Sequence, residues 1–161
     1  MRIGVVSDTH NHLPNTRQIV ALLNEARVDR VVHTGDVTQA KTLHVLAGLD
    51  APLYGVFGNN DLERSALEAA CRDLDHHFVD PPFHVTWARR RIVIVHDPLD
   101  LDAAILGGVD IALHGHDHRH RSEQHHGALV FNPGECAGHM AGHNQVGVVD
   151  LHALDTEILR F

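Results

Sequence analysis

The chain has 161 residues, of which 43% are hydrophobic and 21% charged, and this balance is typical of one globular domain spanning residues 1–161. Its formal net charge of −8 argues against a general nucleic-acid binder, which needs a basic face to displace counterions. Two cysteines are too few for a disulfide framework or a thiolate metal site, and no apolar run approaches the roughly 18 residues of a membrane span.

The first half of the chain alternates between strand and helix patterns. Short apolar runs predict strands at residues 2–7, 29–34 and 52–57. Apolar residues at helical spacing predict helices at residues 14–27, 39–48 and 62–72. Strands that alternate with helices in this way predict parallel strands joined by helical crossovers.

The second half consists mostly of short strand patterns. A hairpin is predicted from strands 83–88 and 91–95, followed by one short helix at 99–106. Further strands are predicted at residues 109–113, 128–131, 145–151 and 156–161. Because helix is scarce here, we expect antiparallel pairing, within an α/β fold that has either one mixed sheet or two sheets packed face to face.

Polar residues of restricted types follow five of the predicted strands. They are Asp8 and His10, then Asp36, then Asn59 to Asp61, then His96, and finally His116 and His118. In open α/β sheets, sites form outside the carboxyl ends of strands. Each group alone would suit a helix cap or a turn, but five together favour a metal site, because oxygen and imidazole donors without thiolates suit Mn, Fe or Zn.

The segment LHGHDHRH at residues 113–120 places a histidine at every second position. In a plain strand all four imidazoles would lie on one face, because side chains alternate with a period of two. The spacing alone therefore leaves open both a ladder of four histidines and a smaller, more specific site.

Six motifs along the chain carry a family resemblance. They are DTH (8–10), GD (35–36), GNND (58–61), the single His96, GHDH (115–118) and NPG (132–134). Together they resemble the calcineurin-like metallophosphoesterase superfamily, and NPG is typical of its small bacterial and archaeal phosphodiesterase branch, which is related to a retromer subunit of the same fold. The resemblance spans nearly the whole chain and implies mixed β-sheets packed face to face, a β-sandwich flanked by helices.

The resemblance also implies two divalent metal ions, with manganese as the first expectation and Fe, Zn, Co or Ni as alternatives. One ion would be bound by Asp8, His10 and His118, the other by Asn59, His96 and His116, with Asp36 bridging both. On this basis His116 and His118 are ligands, whereas His114 and His120 are neighbours.

Three positions depart from the family pattern: Asn60, Asp97, and Asn11, which follows His10 where glycine is common. Asn60 stands where the family often has a histidine that protonates the leaving group, and asparagine donates a hydrogen bond but is not a general acid. With Asn60 as the candidate catalytic residue, we expect diesters or aryl esters to be the preferred substrates. Asp97 follows His96 where glycine is usual, and it either orients His96 or lies in solvent.

The sequence therefore predicts a phosphoesterase, in particular a phosphodiesterase, that hydrolyses a small phosphoester with a water activated by two metals. Two alternatives stay open: a non-catalytic protein-interaction module of the same fold, and a metal store that exploits the 17 histidines. No signal-peptide pattern precedes the first strand, so we expect a cytoplasmic protein without membrane contact. Exposed sheet edges leave a homo-oligomer open.

Overall fold

The computed structural model describes residues 1–161 and contains eleven strands and four α-helices. In chain order the strands are β1 (Arg2–Val6), β2 (Arg30–His33), β3 (Leu53–Val56), β4 (His77–Val79), β5 (Phe83–Trp87), β6 (Arg90–Ile94), β7 (Ile111–Leu113), β8 (Arg121–His125), β9 (Ala128–Asn132), β10 (Gln145–Asp150) and β11 (Asp155–Arg160). The helices are α1 (Leu13–Glu25), α2 (Ala40–Leu46), α3 (Arg64–Asp73) and α4 (Ala103–Gly107), with a short 3₁₀ helix at Pro98–Asp100.

The strands form two mixed sheets. The first has the order β11-β10-β1-β2-β3-β4, in which β1 to β4 run parallel and β10 and β11 are antiparallel additions. The second has the order β5-β6-β7-β9-β8. The prediction of mixed sheets flanked by helices is confirmed. The expectation of antiparallel pairing in the second half is wrong for β6, β7 and β9, which run parallel because the segments between them cross over.

An apolar core joins the two sheets face to face. It combines Ile3, Val5, Val32 and Val56 of the first sheet with Ile92, Ile94, Ile111, Leu113, Leu129 and Phe131 of the second. The other face of the first sheet packs on α1, α2 and α3. At Gly4 a Cβ would lie 2.8 Å from a methyl group of Leu23, so glycine permits the close approach of α1 to β1.

The elements that differ from the prediction have local physical causes. The helix predicted at 99–106 is divided, because the side chain of Asp97 caps the 3₁₀ helix and that of Asp102 caps α4. Strands β4 and β8 were not predicted: β4 has only three residues, and β8 has no apolar alternation because it is an exposed edge strand paired only with β9. No helix has the length and apolar character needed to cross a membrane.

Candidate metal centre

The seven candidate ligands lie on loops that follow β1, β2, β3, β6 and β7, and the structure brings all of them together. In the first group, His10 Nε2 and His118 Nε2 each lie 3.8 Å from Asp8 Oδ1. The two imidazole rings are stacked, with centroids 5.2 Å apart. These separations exceed hydrogen-bonding range. The carboxylate oxygen and the two imidazole nitrogens, all potential metal ligands, therefore face one another across a gap.

The second group is packed more tightly. Asn59 Oδ1 lies 2.8 Å from His96 Nε2 and 3.1 Å from His116 Nδ1, and the two imidazole nitrogens are 3.2 Å apart. His96 is buried, whereas His116 is exposed at the rim of the site. An amide oxygen and two imidazole nitrogens thus converge on one point.

Asp36 lies between the two groups and is 1% exposed. Its Oδ2 is 3.5 Å from His10 Nε2, and its Oδ1 is 3.5 Å from His96 Nε2. One carboxylate therefore presents one oxygen to each group, which is the arrangement required of a bridging ligand.

The backbone of this centre is strained at most of the candidate ligands. Five of the seven have a positive φ although none is glycine: Asp8 (52°), His10 (42°), Asp36 (59°), His116 (72°) and His118 (55°). A left-handed conformation costs a non-glycine residue on the order of 1–2 kcal/mol, and such strain concentrates at functional sites. The fold maintains this strain at residues of both groups and at Asp36 between them.

Two glycines allow the loops to approach one another. A Cβ at Gly115 would overlap the Ser7 hydroxyl and lie 2.6 Å from Asp8 Oδ2. A Cβ at Gly58 would overlap the Asp36 carboxylate. Any larger residue at either position would therefore displace a candidate ligand.

The buried carboxylate of Asp61 joins the loops that follow β2 and β3. Its Oδ2 accepts from the backbone N–H groups of Gly58 (2.7 Å) and Asp36 (3.1 Å), and its Oδ1 accepts from the N–H of Thr38 (2.6 Å). Burial raises the pKa of Asp61, although these backbone donors oppose the shift. Asp61 fixes where Asp36 lies relative to Asn59.

The chemistry of the donor set fits cations. Asp8 Oδ1 is buried and has no hydrogen-bond partner, and neither Asp8 nor Asp36 pairs with a lysine or arginine. Burial lowers the pKa of His10, although Asp36 and Asp8 oppose the shift, which favours the neutral imidazole that ligates metals. Two buried carboxylates that pair with no lysine or arginine are stabilised by a cation between the two groups.

Two of the three positions that depart from the family pattern, Asn60 and Asp97, lie beside the candidate ligands. Asn60 donates to Asp36 twice, from its backbone N–H to Oδ1 (2.8 Å) and from its side-chain amide to Oδ2 (2.7 Å). Asp97 accepts from the N–H of Leu99 (2.8 Å), and its other oxygen lies 3.9 Å from Nε2 of His116 rather than near His96. The side chain of Asp97 is 35% exposed and lines the cleft beside His116, so it is closer to the solvent alternative than to the one in which it orients His96.

The four histidines of the 113–120 segment do not form a ladder, because only Leu113 of this segment belongs to a strand. His114 is buried, with Nδ1 3.1 Å from the carbonyl oxygen of Gly115. His120 Nδ1 lies 3.1 Å from the carbonyl oxygen of Asn132. Both side chains are thus engaged with backbone, while His116 and His118 point to the centre.

Sequence reasoning missed two residues beside the first group, Glu135 and His139. Glu135 Oε2 lies 2.5 Å from His118 Nδ1, and the ring of His139 stacks on that of His118 with centroids 5.3 Å apart. Burial alone would raise the pKa of Glu135, but hydrogen bonds from His118 and the His139 N–H outweigh it and lower the pKa. Strand β9 is parallel to β7, and Glu135 follows its carboxyl end. The expectation that sites form beyond the carboxyl ends of parallel strands would therefore have indicated Glu135.

A cleft of about 330 Å³ opens beside the second group, lined in part by Asn59, His96 and His116. On its far wall the guanidinium of Arg64 lies over the ring of Phe57, 3.5 Å from its centroid. The size suits the organic part of a small substrate next to the candidate ligands.

Comparisons with known proteins show which family and fold this chain shares. The calcineurin-like phosphoesterase superfamily domain matches residues 1–154. The phosphodiesterase MJ0936 of Methanocaldococcus jannaschii is 34% identical over 154 residues, which are 93% of each chain. A solved archaeal phosphodiesterase superposes with a TM-score of 0.91 at 32% identity over 100% of both chains. Vps29 of Entamoeba histolytica superposes with a TM-score of 0.69 at 19% identity over 100% of this chain and 99% of that one, a likeness that shows the fold alone.

Proposed function

Since the chain belongs to the calcineurin-like phosphoesterase superfamily, we propose that it is a metal-dependent phosphodiesterase, a hydrolase that acts on phosphoester bonds. The observation that carries this proposal is the buried Asp8 Oδ1, which has no hydrogen-bond partner and faces imidazole nitrogens of His10 and His118. A buried carboxylate oxygen that has no hydrogen-bond partner but has ligand nitrogens around it is explained by a cation.

The residues divide into two sets of ligands. Asp8, His10 and His118 would hold one divalent ion, Asn59, His96 and His116 the other, with Asp36 shared between them. When bound, two such ions supply an activated water and an electrostatic clamp on the phosphoryl oxygens. The two ions would carry four positive charges, and Asp8 and Asp36 would neutralise only two of them. The remaining positive charge would attract a phosphoester anion. Manganese as the resident ion, a single domain over 1–161, a cytoplasmic location and a homo-oligomer stay predictions.

The chain's own residues suggest which ester is cleaved. The amide of Asn60 donates to Asp36, and no asparagine transfers a proton to a leaving group. A leaving group that needs little protonation is therefore favoured, as in an aryl diester. Asn60 acts in this proposal as a hydrogen-bond donor that orients Asp36, while the cleft beside Asn59 receives the alcohol part of the substrate.

The non-catalytic interaction module stays a second hypothesis without a specific observation in its favour. A binding scaffold has no need for a buried, unpaired carboxylate oxygen or for five strained ligand positions. A metal store would instead bind many ions loosely, whereas the candidate centre has two compact groups of donors.

The proposal is tested by replacing the shared carboxylate. We expect Asp36→Asn to lose both ions. Mn-dependent hydrolysis of an aryl phosphodiester should fall by more than roughly 100-fold, which is the upper range for removing a residue that only hydrogen-bonds to a metal ligand. The matched control is Asp73→Asn, an exposed position at the end of α3, which should retain activity. Undiminished activity of the wild type in excess chelator, or of Asp36→Asn with Mn, would contradict the proposal.

A further inference from the structure

Glu135 is a buried carboxylate directly behind His118, on the side away from the gap. It is 3% exposed, and its Oε2 lies 2.5 Å from His118 Nδ1. Its Oε1 accepts from the backbone N–H of His139 at 2.9 Å. Both carboxylate oxygens are therefore engaged as acceptors, and no lysine or arginine neutralises them.

This arrangement permits only one neutral form of His118. A carboxylate has no proton to donate, so the contact at 2.5 Å requires the proton of the imidazole to be on Nδ1. The lone pair is then on Nε2, the nitrogen that faces Asp8 Oδ1. We infer that Glu135 is a positioning residue that fixes the tautomer of His118 and strengthens Nε2 as a donor to the first ion, an inference that rests on the proposed function.

The two candidate histidine ligands of the second group have weaker partners. His96 Nδ1 lies 2.9 Å from the neutral carbonyl oxygen of Thr34. His116 Nε2 faces Asp97 only at 3.9 Å, and both side chains are partly exposed. A buried negative charge therefore supports one ligand of the first group and none of the second. Glu135 should accordingly strengthen the first site alone.

Replacement by glutamine is a sharp test because it keeps shape but changes one acceptor into a donor. If the glutamine oxygen accepts from the His139 N–H, its NH₂ group faces Nδ1 of His118. Two donors then meet unless His118 moves its proton to Nε2, which removes the lone pair that would bind the ion. Glu123→Gln, an exposed change on β8, is the matched control.

The experiment has two readouts. Long-range ¹H–¹⁵N NMR of the metal-free protein reports the tautomer of His118, whose signals are assigned by comparison with His118→Gln. Calorimetric titration with Mn²⁺ alone reports the affinity of each site. We expect His118 to carry its proton on Nδ1 in the wild type and on Nε2 in Glu135→Gln. One site should weaken by about 10- to 100-fold in that variant while the other changes less than about twofold.

Several results would overturn the inference. A wild-type His118 with its proton on Nε2 does so even if the variant fails to fold, and so does an unchanged tautomer in Glu135→Gln. A third bound ion that disappears with Glu135 would make the group of His118, Glu135 and His139 a metal site instead. If the wild type bound no metal while the tautomer followed Glu135, the proposed function and the strengthening of the first site would both fail, and only the control of the His118 tautomer by Glu135 would stand.

Discussion

At the scale of single residues, the types of the candidate ligands were predictable and their conformations were not. Asp, Asn and His after successive strands indicated a metal site, because their oxygen and imidazole atoms are ligands that suit Mn, Fe or Zn. The left-handed backbone of Asp8 and His116 depends on how neighbouring loops pack, which no local pattern encodes. Glu135 follows a strand that was not recognised as parallel, and its contact with His118, 17 residues away in the chain, depends on the tertiary packing.

Gly115 gives a residue-scale prediction. We expect Gly115→Ala to lower the free energy of unfolding by about 1–3 kcal/mol, because the new methyl group overlaps the buried Ser7 hydroxyl and presses on Asp8. Urea denaturation of the metal-free protein measures the change. At Gly107, which ends α4, a Cβ meets nothing within 4 Å, so Gly107→Ala should be neutral or stabilising by up to about 1 kcal/mol. Equal losses for the two variants would show that crowding at Gly115 is not the cause.

At the scale of elements, the central strands and three main helices follow from apolar periodicity. Strand β8 escaped prediction because an edge strand exposed on both faces has no apolar pattern. The split between the 3₁₀ helix and α4 depends on two aspartate caps, which the pattern of apolar residues does not report. Local sequence does not determine how the loops between elements are held against one another. The carboxylate of Asp61 holds the loops after β2 and β3 together.

Asp61 gives an element-scale prediction. We expect Asp61→Asn to lower the free energy of unfolding by about 1–3 kcal/mol, because its NH₂ group would replace one acceptor oxygen and face the backbone N–H of Thr38, or those of Gly58 and Asp36. Chemical denaturation checks the loss. Asp73→Asn, an exposed change on α3, should stay within about 0.5 kcal/mol of the wild type. An Asp61→Asn protein as stable as this control would show that the loops do not depend on the carboxylate.

At the scale of the whole molecule, two sheets sharing one apolar core bring loops from both to a common edge. The parallel strands β1, β2 and β3 of one sheet and β6 and β7 of the other end there. The expectation that sites form at the carboxyl ends of strands predicted in outline that these loops converge. The distances between the candidate ligand atoms, however, depend on how the two sheets pack. The buried imidazoles that accompany this packing make stability depend on pH.

The buried imidazole of His33 gives a prediction about how stability depends on pH. Burial lowers its pKa to about 3, against an ordinary value of 6.5. As pH falls from 6.5 towards 3, the unfolded chain gains a proton that folded His33 does not, so stability present above pH 6.5 is lost by up to about 1.4 kcal/mol per pH unit. Denaturation of the metal-free protein at pH 7 and pH 5 should show a shallower dependence in His33→Gln than in the wild type.

The matched control for that comparison is His125→Gln, which removes an exposed imidazole on β8 instead of a buried one. It should reproduce the wild-type dependence on pH. The account of His33 fails if the two glutamine variants give the same slope.

The most direct measurement is a crystal structure of the protein with Mn²⁺, using anomalous scattering to locate the ions. The account predicts two peaks per chain, one contacting Asp8, His10 and His118, the other contacting Asn59, His96 and His116, with Asp36 reaching both. A map with no peak in this gap, or with manganese bound only elsewhere, would contradict the claim that these side chains form a dinuclear metal centre.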